Sequence, residues 1–114
     1  MKVEPKIGKI IIAPQVLETT ARLTTLAVPG VACLVSPPGM PRLLRHDGVK
    51  IQVAGNNVDV KLYVVTEPRV NMLSVGRQIQ TEVTRAIRDM IGMDVQSIDV
   101  YIEDVVHSPE EEEA

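Results

Sequence analysis

Apolar and polar residues alternate most regularly between Gly48 and Val65, GVKIQVAGNNVDVKLYVV. Val49, Ile51 and Val53 interleave with Lys50 and Gln52, and Val58, Val60, Leu62 and Val64 interleave with Asp59, Lys61 and Tyr63. A period of two places the two sets on opposite faces of a strand. Gly55-Asn56-Asn57 between the runs tolerates positive φ, which predicts a hairpin. A two-stranded ribbon is not stable alone in water, so its apolar side requires a cover.

Two stretches with helical spacing predict that cover. The first starts at Pro14, which suits the first helical position. It carries Val16, Leu17, Thr20, Ala21, Leu23, Thr24, Leu26 and Ala27 at helical intervals. Its threonines lower helix propensity, so packing must support it, and Val28-Pro29 ends it. The second follows Asn71, a good N-cap, and runs from Met72 to Ile91. Met72, Val75, Ile79, Val83, Ile87 and Met90 form one apolar stripe. Arg77, Thr81, Arg85 and Arg88 fall along another face, with Arg85 and Asp89 spaced to pair. Gly92 fits the left-handed position that closes a helix, with Met93 folding back on Ile87.

Further strands are predicted over Lys9–Ile12, Val31–Val35 and Ser97–Val105. In the last, Ile98, Val100 and Ile102 alternate with Asp99, Tyr101 and Glu103. Hairpin, helix and last strand form a crossover, expected to be right-handed. The order β-α-β-β-β-α-β predicts an α+β two-layer sandwich. Its sheet of three to four strands is mixed or antiparallel and carries two helices on one face. Ferredoxin-like and KH-like topologies both stay open. Residues 1–8 are expected to be flexible, residues 9–106 to form one domain, and residues 107–114 to be a disordered acidic tail. Ser36-Pro37-Pro38-Gly39-Met40-Pro41, followed by Arg42, Arg45 and His46, is expected to be a mobile loop.

Composition narrows the chemistry. A chain of 114 residues can bury a core without disulfides or a metal. With no Trp, no Phe and two Tyr, that core is aliphatic and an aromatic-lined ligand pocket is not expected. Cys33 is the single cysteine, so an internal disulfide is excluded. In the apolar run VACLV it is expected to be a buried, inert thiol, in keeping with a reducing compartment. The net charge is −3, and Glu110 to Glu113 alone supply −4, so the remainder is +1. That is a poor footprint for generic nucleic-acid binding. The amino terminus lacks an apolar run of signal-peptide length, and no segment reaches membrane-spanning length.

Catalytic and ligand patterns are sparse. His46, His107 and one cysteine lack the spacing of a zinc site. Gly39, Gly48, Gly55 and Gly76 do not have phosphate-loop spacing. Asp59, Asp99 and Glu103 share the wet register of the sheet beside Lys50 and Lys61, without the shelter that acid–base work requires. No catalytic residue, cofactor site or metal ligand is assigned. Two surfaces remain as candidate interfaces: the wet sheet face with Lys61, Tyr63 and Tyr101, and the helix face with Arg77, Arg85 and Arg88.

Several segments in fixed order resemble one family. They are Val28-Pro29-Gly30-Val31-Ala32 after a helix, then GVKIQV, VDVKLYVV, Ile79-Gln80 with Val83, and Met90-Ile91-Gly92-Met93 leading into VQSIDVYIEDV. Together they resemble the alkaline shock proteins, or envelope stress response proteins, found mainly in Gram-positive bacteria. The resemblance runs from about Gly8 to Val106. It implies a non-enzymatic, cytoplasmic protein of cell-envelope homeostasis that self-associates and docks to a partner. That partner is expected to be membrane-anchored, so the chain itself would not insert. Family members commonly carry a Tyr-Gly type turn before the long helix, where this chain has Glu67-Pro68-Arg69. The alternative is a small KH-like or ferredoxin-like RNA-binding module. It is disfavoured by the absence of a Gly-x-x-Gly loop and the scarcity of stacking aromatics.

Overall fold

The computed structural model describes residues 7–37, 39–41 and 47–107. The expectations for residues 1–6, for Pro38, for Arg42, Arg45 and His46, and for the acidic run lie outside them. In chain order the elements are α1 (Pro14–Ala27), β1 (Val31–Leu34), β2 (Val49–Ala54), β3 (Asn57–Thr66), α2 (Met72–Ala86), a π-helical turn over Ile87–Ile91, and β4 (Asp94–Val105). They build a two-layer α+β sandwich with a four-stranded mixed sheet. No strand forms over Lys9–Ile12, where the chain is irregular, so the described order begins with α1.

β3 is the centre. β4 runs parallel to it along its whole length, from Asn57 opposite Asp94 to Thr66 opposite Val105. Its other edge is shared end to end by two antiparallel strands. β2 pairs with Asn57–Leu62, and β1 pairs with Val64–Thr66. The two meet at Tyr63, whose N–H donates to the Gly48 carbonyl at 2.9 Å and whose carbonyl accepts from the Val35 N–H at 2.9 Å. Gly48 can sit at this seam only as glycine. Its φ is +89°, and an added Cβ would lie 2.7 Å from the Val35 carbonyl oxygen. The β2–β3 turn is tighter than expected. Ala54 pairs with Asn57, so only Gly55 and Asn56 form the loop. Gly55 takes the positive φ of 63°, the pattern of a hairpin turn with glycine first.

The core is the aliphatic layer between β3 and the helices. Val58, Val60, Leu62 and Val64 are fully buried, as are Ala21, Ile79, Val83 and Ile87. In α1 a narrow stripe, Leu17, Ala21 and Thr25, faces inward, and Val16, Leu23 and Leu26 stay exposed. The Thr25 hydroxyl is satisfied by donating to the Ala21 carbonyl at 2.7 Å. α2 starts as expected, with Asn71 Oδ1 accepting from the Ser74 N–H at 3.0 Å. Its stripe departs at both ends. Met72 is partly exposed and Met90 is 75% exposed. The π turn explains Met90. An i→i+5 bond, from the Gly92 N–H to the Ile87 carbonyl at 3.0 Å, adds a residue to the turn. That rotates Met90 outward, and Ile91 and Met93 pack against the core instead. Gly92 closes the helix at φ +80°.

Bulges alter the faces of the edge strands. Val31 opposes Thr66 but Cys33 opposes Val65, so Ala32 is an extra residue. The alternation flips there, and Cys33 is exposed rather than buried. In β4 the extra residues are Gln96 and Glu103. Glu103 therefore leaves the regular outer register in which Asp59 and Asp99 remain. β4 also begins at Asp94, three residues before the expected start.

Two substitutions check this packing. Gly48→Ala forces a Cβ into backbone at positive φ and should destabilise by more than about 2 kcal/mol in urea unfolding. Thr66 is fully buried with its hydroxyl unpartnered among the described residues. The isosteric Thr66→Val should therefore stabilise by about 1 kcal/mol, and a loss of stability would show that the hydroxyl is satisfied.

Candidate functional site

Both helices cover the inner face of the sheet, and no described helix lies over the outer face. The register sets what the outer face presents. Tyr63 lies opposite Tyr101, Lys61 opposite Asp99 on one side and Lys50 on the other, and Asp59 opposite Ser97. The tyrosine rings stack with centroids 4.7 Å apart and planes 10° apart. Such stacking contributes beyond area burial. Tyr101 keeps 40% of its surface exposed, so the pair forms a flat amphipathic platform. Ser97 Oγ donates to Asp59 Oδ1 at 2.7 Å, which holds that carboxylate in place on the same face.

The arginine face lies on the other side of the molecule, because α2 sits on the inner layer. Arg85 and Arg88 line one shallow cleft with Gln80, Thr81, Thr84 and Asp89. Arg77 stands apart beside a second groove and donates to Gln80 Oε1 at 3.3 Å. Arg85 pairs with Glu82 at 3.2 Å, an i,i+3 contact, rather than with the expected Asp89. With Glu82 and Asp89 interleaved, the cleft is not a concentrated cation site. The six candidate residues thus divide into two surfaces facing opposite ways.

Two features were not anticipated. The second groove is apolar, lined by Met72, Leu73, Gly76, Val100 and Ile102, with Arg77 and Gln80 at its rim. Gly76 has nothing within 4 Å of where a Cβ would stand, so the helix leaves a gap above β4. Periodicity marks Met72 as core, and only the missing side chain at Gly76 hinted otherwise. The second feature is Cys33, exposed on the outer face in the row of Val65 and Asp104. Among the described residues, no group of three or more His, Cys, Asp or Glu is placed to hold a metal ion.

Fold and surfaces together define a small two-layer α+β domain with both described helices on one face of the sheet. The chain belongs to the alkaline shock protein family, described as having a cell envelope-related function, whose model matches residues 2–107. It is 22% identical over 113 residues to the uncharacterized protein YloU of Bacillus subtilis, covering 92% of this chain and 94% of that protein. It is 28% identical over 104 residues to the uncharacterized protein Spy1535 of Streptococcus pyogenes, covering 88% and 81%. Among solved structures it is similar to the MamM CTD, at a TM-score of 0.52 and 16% identity, covering 79% of this chain and 96% of that one. A zinc form of a MamM CTD variant aligns at a TM-score of 0.51 and 17% identity, covering 79% and 84%. These structures share the fold. No helix among the described residues is long and apolar enough to cross a membrane.

The tyrosine platform is testable on its own. A double-mutant cycle of Tyr63→Ala and Tyr101→Ala should give a coupling of about 0.5–1.5 kcal/mol in unfolding free energy. Strict additivity would mean that the rings do not stack.

Proposed function

We propose that this chain is a non-enzymatic scaffold or adaptor of the cell envelope that self-associates and docks to a partner protein. In this reading it is cytoplasmic and reaches the membrane only through a membrane-anchored partner. The observation that supports it is the stacked Tyr63–Tyr101 pair, with Tyr101 40% exposed, on the sheet face opposite the two described helices. Tyrosines on a flat face, with Lys61 and Asp99 beside them, have the composition of a protein interface. Tyrosine supplies contact area with few rotatable bonds, so ordering it on binding costs little. The Arg77, Arg85 and Arg88 face points the opposite way and offers a second contact. A scaffold needs two separate surfaces, one for each neighbour it holds.

The RNA-binding alternative is less well supported. The two rings cover each other, so each offers a base at most one face. Four acids on β4, Asp94, Asp99, Glu103 and Asp104, work against a phosphate backbone.

Light scattering across a concentration series tests the proposal. The wild type should form a reversible oligomer, and Tyr101→Glu should weaken it about tenfold or more, as loss of a central interface aromatic does. Arg88→Glu should leave self-association unchanged. A wild type that stays monomeric at high concentration would overturn the reading. So would micromolar, salt-dependent binding of single-stranded RNA that Tyr101→Glu abolishes.

A further inference from the structure

Ile7, Ile10 and Ile11 are 92%, 95% and 83% exposed, in an irregular stretch that pairs with no strand among the described residues. β-branched residues in such a run are strand formers with nothing to pair with. Among the described residues, the outer edge of β4 pairs with no strand. Tyr63 turns both backbone groups toward β1 and β2, so Val60, Leu62 and Val64 turn theirs toward β4. In a parallel ladder the residues opposite them, Ile98, Val100 and Ile102, then turn theirs outward. The Ile98 carbonyl agrees, since it accepts from Gln80 Nε2 at 3.0 Å across that edge. The outward groups of Val100 and Ile102 lie beside the apolar groove under Gly76.

We propose that residues Ile7–Ile12 of one copy add as a strand to the open edge of β4 of a second copy. This deepens the self-association reading and rests on it. The lengths agree: between the bulges at Gln96 and Glu103, β4 has the regular stretch Ser97–Ile102, six residues, as many as the donor segment, and of its outward carbonyls that of Ile98 is shared with Gln80. The charges agree as well. Residues 7–12 carry Lys9 and no acid, whereas β4 carries four acids and no base. Like charges directly opposite are unfavourable, so β4 repels the β4 of another copy and admits a basic strand. The remaining edge is divided between β1 and β2, and β2 carries Lys50, which opposes a basic strand. Alternation completes the fit. Ile10 and Ile12 share one face and enter the groove, while Lys9 lies on the other face, alongside Asp99. Backbone bonds supply the affinity, and the side-chain pockets and charges set the register. The contact joins unlike surfaces, so it closes by reciprocal exchange between two copies or propagates into an open chain.

Sedimentation velocity on the full chain tests this with three variants. Ile10→Asp should weaken self-association about tenfold or more, with the far-ultraviolet circular dichroism and urea midpoint unchanged, because Ile10 is exposed in the monomer. Lys9→Glu and Asp99→Lys should each weaken it alone, and an equimolar mixture of the two should recover it, since both reciprocal contacts are then of opposite charge. Association of Ile10→Asp equal to wild type, or failure of the mixture to recover, would overturn strand addition and leave the scaffold reading standing. A wild type that does not associate at all would overturn both.

Discussion

The structure depends on one strand being buried on its inner face and hydrogen-bonded along both edges. Every inward side chain of β3, from Val58 to Thr66, is fully buried. One edge is held by a parallel strand that arrives over α2, and the other by two short strands laid end to end. With no tryptophan or phenylalanine in the chain, the layer above β3 is closed by valine, leucine and isoleucine. These side chains have few rotamers and carry no polar atoms, so position on the sheet decides the packing. The close approach of Gly48 to Val35 follows from the same demand. Two strands can share one edge only where backbone meets backbone without a Cβ between them.

Placing both helices on the inner layer determines what remains for binding. The described helices leave the tyrosine pair and charged rows on the opposite face, and among the described residues no strand pairs with the outer edge of β4. Exposed sheet edges are usually blunted by charge, bulges or short length. β4 has two bulges and four acids, but also a regular stretch beside an apolar groove. Strand addition at the β4 edge and contacts through the outer face therefore use different surfaces, and one copy can make both. That fits a family with a cell envelope-related function, to which this chain belongs.

Much of this arrangement is legible in the residues. The period-two runs identify β2 and β3, Asn71 and Gly92 bound the long helix, and Tyr63 and Tyr101 fall on the wet register because alternation puts them there. What the sequence conceals is any change of phase. An extra residue at Ala32 turns Cys33 outward, and the π turn at Ile87–Ile91 turns Met90 outward, yet neither leaves a mark in composition. The run Lys9–Ile12 has the content of a strand but pairs with no strand among the described residues. Propensity identifies strand formers and is silent on whether a pairing edge is within reach. The arginines likewise share a helix face in projection, but Arg77 lies some two turns from Arg85 and borders a different groove. The Glu67-Pro68-Arg69 turn is accommodated by Arg69 at φ 64°, a conformation glycine adopts more readily.

Native-state hydrogen exchange tests the central claim most directly. If β3 is the structural centre, the amides of Val58, Val60, Leu62 and Val64 should exchange only through global unfolding, with opening free energies equal to the stability measured in denaturant. Exchange of these amides through a smaller, local opening, with α2 the more protected element, would contradict the account.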